Sequence, residues 1–161
     1  MRALILLLAT VAVIVHAGGE VQAAPSFVWP LDPRPTVVNP FDPPEHDWLP
    51  GHRGVDVAGR DGQEVRAVGE GLVVFAGTIA GKPVVSVDHS NGLRSTYEPV
   101  VATVSAGERV RTGERIGQLV AGHSGCADAC LHWGVRRSRV YLNPLALVDA
   151  MTIRLKPLGP R

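Results

Sequence analysis

The chain has no surplus of either charge. Sixteen basic and fifteen acidic side chains leave a net charge of +1 over 161 residues, with both signs interspersed. That excludes the concentrated basic footprint of a nucleic-acid binder and a polybasic membrane patch. Charged residues of any kind are few, at 19%, and no internal repeat points to a solenoid. Long apolar runs are missing too. The longest, from Ala3 to about Ala17, falls short of the roughly 20 residues of a membrane-spanning helix. It follows Arg2 and precedes the small-residue segment Val21-Gln22-Ala23, so residues 1–23 read as a secretory signal peptide. Cysteine occurs twice, at Cys126 and Cys130, and neither lies near residue 23 to take a lipid. The expected product is exported, extracytoplasmic or cell-wall located, and not an integral membrane protein after cleavage.

What the chain does have is glycine and proline, 18 and 13 of them. That composition suits short strands joined by tight turns. Eight prolines fall between Ala24 and Pro50. Proline fixes φ and removes a donor, so this stretch is neither regular helix nor central strand. Residues 24–47 are expected to be an extended arm, pinned to the domain surface by Phe27, Trp29, Phe41 and Trp48. An arm that occludes a groove as a propeptide is one role for it. Residues 48–150 are expected to form the folded domain, and residues 151–161 a loose tail.

The domain reads as β. Leu72–Ala76 and Pro83–Val87 are short β-branched runs separated by Gly77 to Gly81. Asn91-Gly92 is a hairpin turn, followed by a return strand at Arg94–Tyr97. Thr112-Gly113 marks a further turn, and Ala129–Arg136 a further strand. One short helix is expected at 144–150, capped by Asn143 with Pro144 in its first turn. The turn in VRTGERIG is similar to the hairpin of lipoyl and biotinyl carrier domains. Those carriers need a lysine at the tip, and neither Lys82 nor Lys156 is there. Carrier function is excluded, and a compact β-sandwich remains.

Three residues carry the chemistry: His52 and Asp56 in GHRGVD, and His132 in CLHWG. Two imidazoles and a carboxylate suit zinc in hardness and geometry. Three protein ligands leave a position open, as in catalytic zinc sites. Gly54 is expected to let the backbone turn so that His52 and Asp56 converge. Alternation along a strand makes Cys130 and His132 face one way and Leu131 the core. Cys130 has three readings: a disulfide with Cys126 in an oxidising compartment, a fourth zinc ligand that closes the site, or a nucleophile. Trp133 reads as core and His89 as a turn residue, while His46 has no supporting pattern. Arg53, Arg136 and Arg137 flank the ligands as solvated charge or as carboxylate-holding groups.

The order GHRGVD, VVSVDHSNG-LRSTY, VSAGERVRTGERIG, LHWGV, YLNPL resembles the lysostaphin-type zinc endopeptidases, also called LytM-like peptidases, from about Trp48 to Leu147. The resemblance implies an all-β fold: a compact antiparallel β-sandwich like the duplicated hybrid motif, with a short C-terminal helix. It also implies zinc in a groove, held by His52, Asp56 and His132, and cleavage of peptide bonds in peptidoglycan. Two departures stand out. The family has a histidine two residues after the tyrosine of the earlier strand, where this chain has Pro99, and His-x-His in the later strand, where this chain has Cys130. Both non-ligand histidines are replaced. General acid–base help is worth about 10²–10⁴ in rate, so their loss should weaken hydrolysis. His123, in a glycine-flanked loop, and Tyr97 are the expected assistants, and Arg53 the expected substrate contact. Glu98 is expected to point opposite Tyr97 and away from the metal. Three functions follow as expectations: a zinc peptidase acting on stem peptides or cross-bridges, a degenerate module that docks to peptidoglycan or activates a partner hydrolase, or a structural zinc domain.

Overall fold

The computed structural model describes residues 27–46, 48–123, 126 and 128–148. The expected signal peptide and C-terminal tail lie outside the described residues.

Eleven strands and one helical turn make up the described fold. In chain order they are β1 (Val37–Asn39), β2 (Val55–Gly59), β3 (Glu64–Arg66), β4 (Gly71–Ile79), β5 (Lys82–Asp88), β6 (Leu93–Glu98), β7 (Val100–Ala102), β8 (Arg109–Val110), β9 (Arg115–Leu119), β10 (Ala129–Arg137), β11 (Val140–Leu142) and α1 (Leu145–Val148). The larger sheet runs β1-β2-β10-β6-β5-β4-β8, with β11 also paired to β10, and a second sheet runs β3-β9-β7. Every pairing is antiparallel.

The turn chemistry works as the sequence implies. Gly92 and Gly113 take positive φ values of 77° each, a region that costs glycine no Cβ clash. β4 and β5 run longer than the apolar stretches that mark them. Both Ala80 and Gly81 have positive φ, which makes a two-residue turn whose twist matches its strands. The helix is shorter than expected within the described residues. Asn143 caps it, its side-chain oxygen accepting from the Leu145 N–H at 3.1 Å.

The two sheets enclose one core. Val57, Val85, Leu131 and Trp133 of the larger sheet share it with Val65, Val100, Ile116 and Leu119 of the smaller one. The proline-rich arm is part of this structure. Phe27 and Leu31 are buried in the same core, and β1 is a strand of the larger sheet. Trp29 packs edge-on against Trp133 at 6.3 Å, but Trp48 does not pin the arm as expected: it is 80% exposed and stacks on His46.

Period-two alternation divides β10 and β6 between two faces. Leu131, Trp133 and Val135 point into the core with Leu93, Ser95 and Tyr97. His132, Gly134 and Arg136 occupy the other face, with Arg94, Thr96 and Glu98 opposite them. His89 is buried behind β6. One ring nitrogen lies 2.7 Å from the Glu70 carbonyl and the other 2.7 Å from Ser95 Oγ. Burial pulls its pKa below 6.5, outweighing the Glu70 bond and the Asp88 charge. An unfolded chain therefore takes up a proton near pH 6.5 that the folded one refuses, so this contribution to stability is full above that pH and declines below it. The urea midpoint of the protein should fall between pH 7.5 and 5.5. In His89→Asn, which cannot titrate at this position, that part of the slope should vanish.

Candidate metal centre

Three ring and carboxylate atoms meet at one point. His52 Nε2 lies 3.0 Å from Asp56 Oδ1 and 3.1 Å from His132 Nδ1, and His132 Nδ1 lies 2.8 Å from Asp56 Oδ1. They come from two elements and a loop. Asp56 and His132 are direct partners across the β2–β10 ladder, which puts their side chains on one face at close range. His52 precedes β2, and its backbone bridges to Asp42.

Gly54 acts by close approach. A Cβ there would sit 2.6 Å from the Trp133 carbonyl oxygen and 2.8 Å from the His132 ring, with φ outside the left-handed region. Gly54 lies in the bend that leads into β2, and its bare backbone also makes room for His132.

The donor set fits zinc in this geometry. His52 Nδ1 donates to the Pro40 carbonyl at 2.6 Å, which leaves the Nε2 lone pair aimed at the shared point. Asn39 Nδ2 donates to Asp56 Oδ2 at 3.3 Å, leaving Oδ1 to face the imidazoles. Burial opposes ionisation of Asp56. The His132 hydrogen bond and the charges of His123, His132 and His52 outweigh it, holding the carboxyl at about 2 against an ordinary 3.8. Two imidazole nitrogens and an ionised oxygen within 4.8 Å of one another are the donors a divalent ion of zinc's softness selects.

Neither Asn39 nor Pro40 was anticipated from the sequence. Both belong to the proline-rich arm, whose described part runs along the sheet edge and supports the ligands from behind. Outer-shell partners typically matter 10–100-fold in metal affinity. Asn39→Ala should therefore weaken zinc binding about tenfold at unchanged stoichiometry, measured by competition with a chromogenic chelator.

His123 joins the centre. Its Nε2 is 3.6 Å from Asp56 Oδ1, its ring lies parallel to that of His132 at 6.0 Å, and its side chain is 12% exposed. Cys126 and Cys130 form a disulfide with an S–S distance of 2.01 Å. The bond occupies both sulfurs, so Cys130 is neither a fourth ligand nor a nucleophile. It also ties the chain just beyond His123 to β10, two residues before His132.

Tyr97 is not at this site. It pairs with Trp133, faces the core and is fully buried. Its hydroxyl accepts from the Val68 N–H at 3.0 Å and meets Ser95 Oγ at 2.9 Å. Burial raises its pKa to about 12, against the lowering effect of those bonds. The cause of the correction is the ring itself: the largest apolar surface in β6 sets the inward phase of the strand.

Glu98 is therefore on the metal face, directly opposite His132, the reverse of the expected orientation. A salt bridge to Lys82 at 2.8 Å holds it. Pro99 is buried, and its carbonyl accepts from the Val120 N–H at 3.2 Å. Arg53 donates to the Leu49 carbonyl at 3.1 Å and lies over the Tyr141 ring. A cleft of about 720 Å3 lies elsewhere. It mixes three acids, Glu70, Asp88 and Glu114, with two arginines, Arg109 and Arg111, without the converging donors of the metal centre.

Comparison with known proteins gives the same direction. Residues 50–144 match the model of Peptidase family M23. Uncharacterized protein Rv2891 of Mycobacterium tuberculosis is 55% identical over 136 residues, covering 81% of this chain and 55% of that protein. The murein hydrolase activator NlpD of Salmonella typhimurium is 29% identical over 136 residues, covering 81% of this chain and 34% of its own length. The DD-carboxypeptidase/endopeptidase Mpg of Neisseria meningitidis is 32% identical over 103 residues, 63% of this chain and 24% of that protein. Among solved structures, Helicobacter pylori Csd3 superposes with a TM-score of 0.58 at 26% identity, covering 77% of this chain and 34% of that one. The chain thus spans about half the length, or less, of these curated relatives.

Proposed function

Because the chain belongs to Peptidase family M23, we propose that it is an exported zinc metalloendopeptidase domain that cleaves peptide bonds in peptidoglycan. The observation that carries this reading is the convergence of His52 Nε2, Asp56 Oδ1 and His132 Nδ1 at 2.8–3.1 Å, with the far nitrogen of His52 already committed to the Pro40 carbonyl. His52, Asp56 and His132 would hold zinc. When bound, the ion supplies Lewis acidity, polarising a peptide carbonyl and making water acidic enough to act near neutral pH.

The remaining work falls to the chain's own groups. His123, 3.6 Å from Asp56 Oδ1, takes and returns a proton at the edge of the trio and stands in for the histidines replaced by Pro99 and Cys130. Asp56 carries the negative charge that keeps the imidazoles oriented. Tyr97 contributes packing alone. Arg53 lines the substrate face beside His52.

A second reading rests on those same two replacements and on the likeness to a murein hydrolase activator: zinc and groove are kept for docking to peptidoglycan or to a partner hydrolase. Digestion of purified peptidoglycan, followed by mass spectrometry of released muropeptides, separates the two. New amino and carboxyl termini that disappear with His52→Ala support the peptidase. Sedimentation with peptidoglycan and no new termini favours the docking module.

A further inference from the structure

The Cys126–Cys130 disulfide lies close along the chain to the group assigned the proton transfer. Cys130 is on β10, two residues before His132, and is 2% exposed. Cys126 is partly exposed and stands three residues after His123. We infer that this disulfide is a redox switch: oxidation holds His123 at the metal centre and turns cleavage on, and reduction by a dithiol turns it off. The inference rests on the peptidase reading and adds its regulation.

Anchors on both sides bracket His123. Upstream, the Val120 N–H donates to the Pro99 carbonyl at 3.2 Å, and the Ala121 N–H donates to Asp61 Oδ1 at 2.9 Å in an exposed position. Gly122 follows with a φ of 120°, so the chain enters His123 through its most permissive residue type. Downstream, Cys126 is bonded to Cys130. Cys130 is paired with Ala58 as His132 is with Asp56, and alternation puts the two β10 side chains on one face. The disulfide therefore ties Cys126 to the face that carries the trio. There the His123 ring lies parallel to that of His132 at 6.0 Å, and its Nε2 stands 3.6 Å from Asp56 Oδ1. That approach is longer than a strong charge-assisted hydrogen bond, so the ties on either side contribute to where the ring sits.

The metal ligands are held by other means. Asp56 and His132 sit in the β2–β10 ladder, His132 is paired with Glu98 of β6 as well, and His52 bridges to Asp42. Reduction should therefore spare the metal and release the proton-transfer group. The exchange is balanced by a dithiol. One of its thiolates attacks Cys126 Sγ, on the more exposed of the two residues, the S–S bond breaks, and Cys130 Sγ leaves as a thiolate. The second thiol of the reductant then attacks the mixed disulfide and frees Cys126. The protein gains two electrons and two protons, and the dithiol ends as a disulfide. Thiols stay reduced inside cells and pair in oxidising compartments. A wall-cutting domain built this way is silent until it has been exported and oxidised.

The test compares the oxidised, zinc-loaded protein with the same protein reduced by dithiothreitol, desalted without oxygen and returned to one equivalent of zinc. Carbethoxylation of His123 by diethyl pyrocarbonate is read by mass spectrometry, beside zinc content and the release of muropeptides. Reduction should raise labelling of His123 several-fold. It should lower kcat for cleavage by about tenfold or more, the effect of a slightly misplaced catalytic group. Zinc should stay at one per chain, which also reports an intact fold, and diamide should restore both labelling and rate. Cys126→Ser combined with Cys130→Ser should match the reduced protein and ignore dithiothreitol. Equal labelling of His123 in the two forms, equal cleavage despite a change in labelling, or loss of zinc on reduction overturns the switch. Cleavage that ignores the disulfide removes the switch alone. No cleavage by either form, with His123 labelling still tied to the disulfide, removes the peptidase reading and leaves the redox anchoring of His123.

Discussion

Asp56→Ala is expected to leave the protein without bound zinc and without peptidase activity. Asp56 is the hub of the centre: His52, His132, His123 and Asn39 all reach its two oxygens. It is 3% exposed and ionised down to a pH of about 2, so it supplies a fixed negative charge in a site that water hardly screens. Removing it leaves three imidazoles with no anion to orient them or to offset the charge of a divalent ion. Loss of an outer-shell partner costs about 10–100-fold in affinity; a ligand that also organises the others should cost well over 100-fold. After dialysis against one equivalent of zinc, metal analysis should find one ion per wild-type chain and close to none in Asp56→Ala. Zinc in thousandfold excess over its Kd should stabilise the wild type by about 4 kcal/mol, and the variant should show no comparable rise in Tm. Stoichiometric zinc in Asp56→Ala would place the metal elsewhere.

The donors behind this effect differ in how far the sequence reveals them. His52, Asp56 and His132 are legible because a metal needs particular atoms, and those residue types stand out in loops and strands otherwise built of valine and glycine. The hairpins are legible for a similar reason: Asn91-Gly92 can do little but turn. The phase of β6 is not. Alternation in Leu93–Glu98 says that Tyr97 and Glu98 face opposite ways, but only packing against Trp133 decides which of them meets the core. The support from Asn39 and Pro40 is hidden more deeply. One is a lone amide 17 residues before Asp56, and the other acts through a carbonyl that every residue possesses. Proline content marks the arm as irregular chain and hides that Asn39 and Pro40 within it brace the ligands. Gly54 is legible as part of the bend before β2, while the space it leaves for His132 is not, since that is set by a strand some 80 residues away.

His123→Ala is expected to lower peptide-bond cleavage by about 10²–10⁴ while zinc content stays at one per chain. The side chain sits beside the trio and outside it: the three ligand atoms lie within 4.8 Å of one another, and His123 Nε2 approaches Asp56 Oδ1 at 3.6 Å. A group so placed can move protons without being needed to hold the ion. The loss should therefore fall on kcat, with KM nearly unchanged, since ground-state binding uses other groups. His123→Gln, which keeps a polar side chain but cannot shuttle a proton, should behave like the alanine variant. The disulfide gives an independent check. Cys126 follows His123 by three residues and is bonded to Cys130 on the strand that carries His132, so the bond fixes a point close to His123 onto that strand. The paired substitution Cys126→Ser with Cys130→Ser should lower kcat in the same direction as His123→Ala and should add little to it when the two are combined. Full turnover in His123→Ala would transfer the proton role to another group on the metal face, with Glu98, opposite His132, the first to replace. Loss of zinc together with activity would make His123 a ligand, and the centre a closed four-coordinate site of the structural kind.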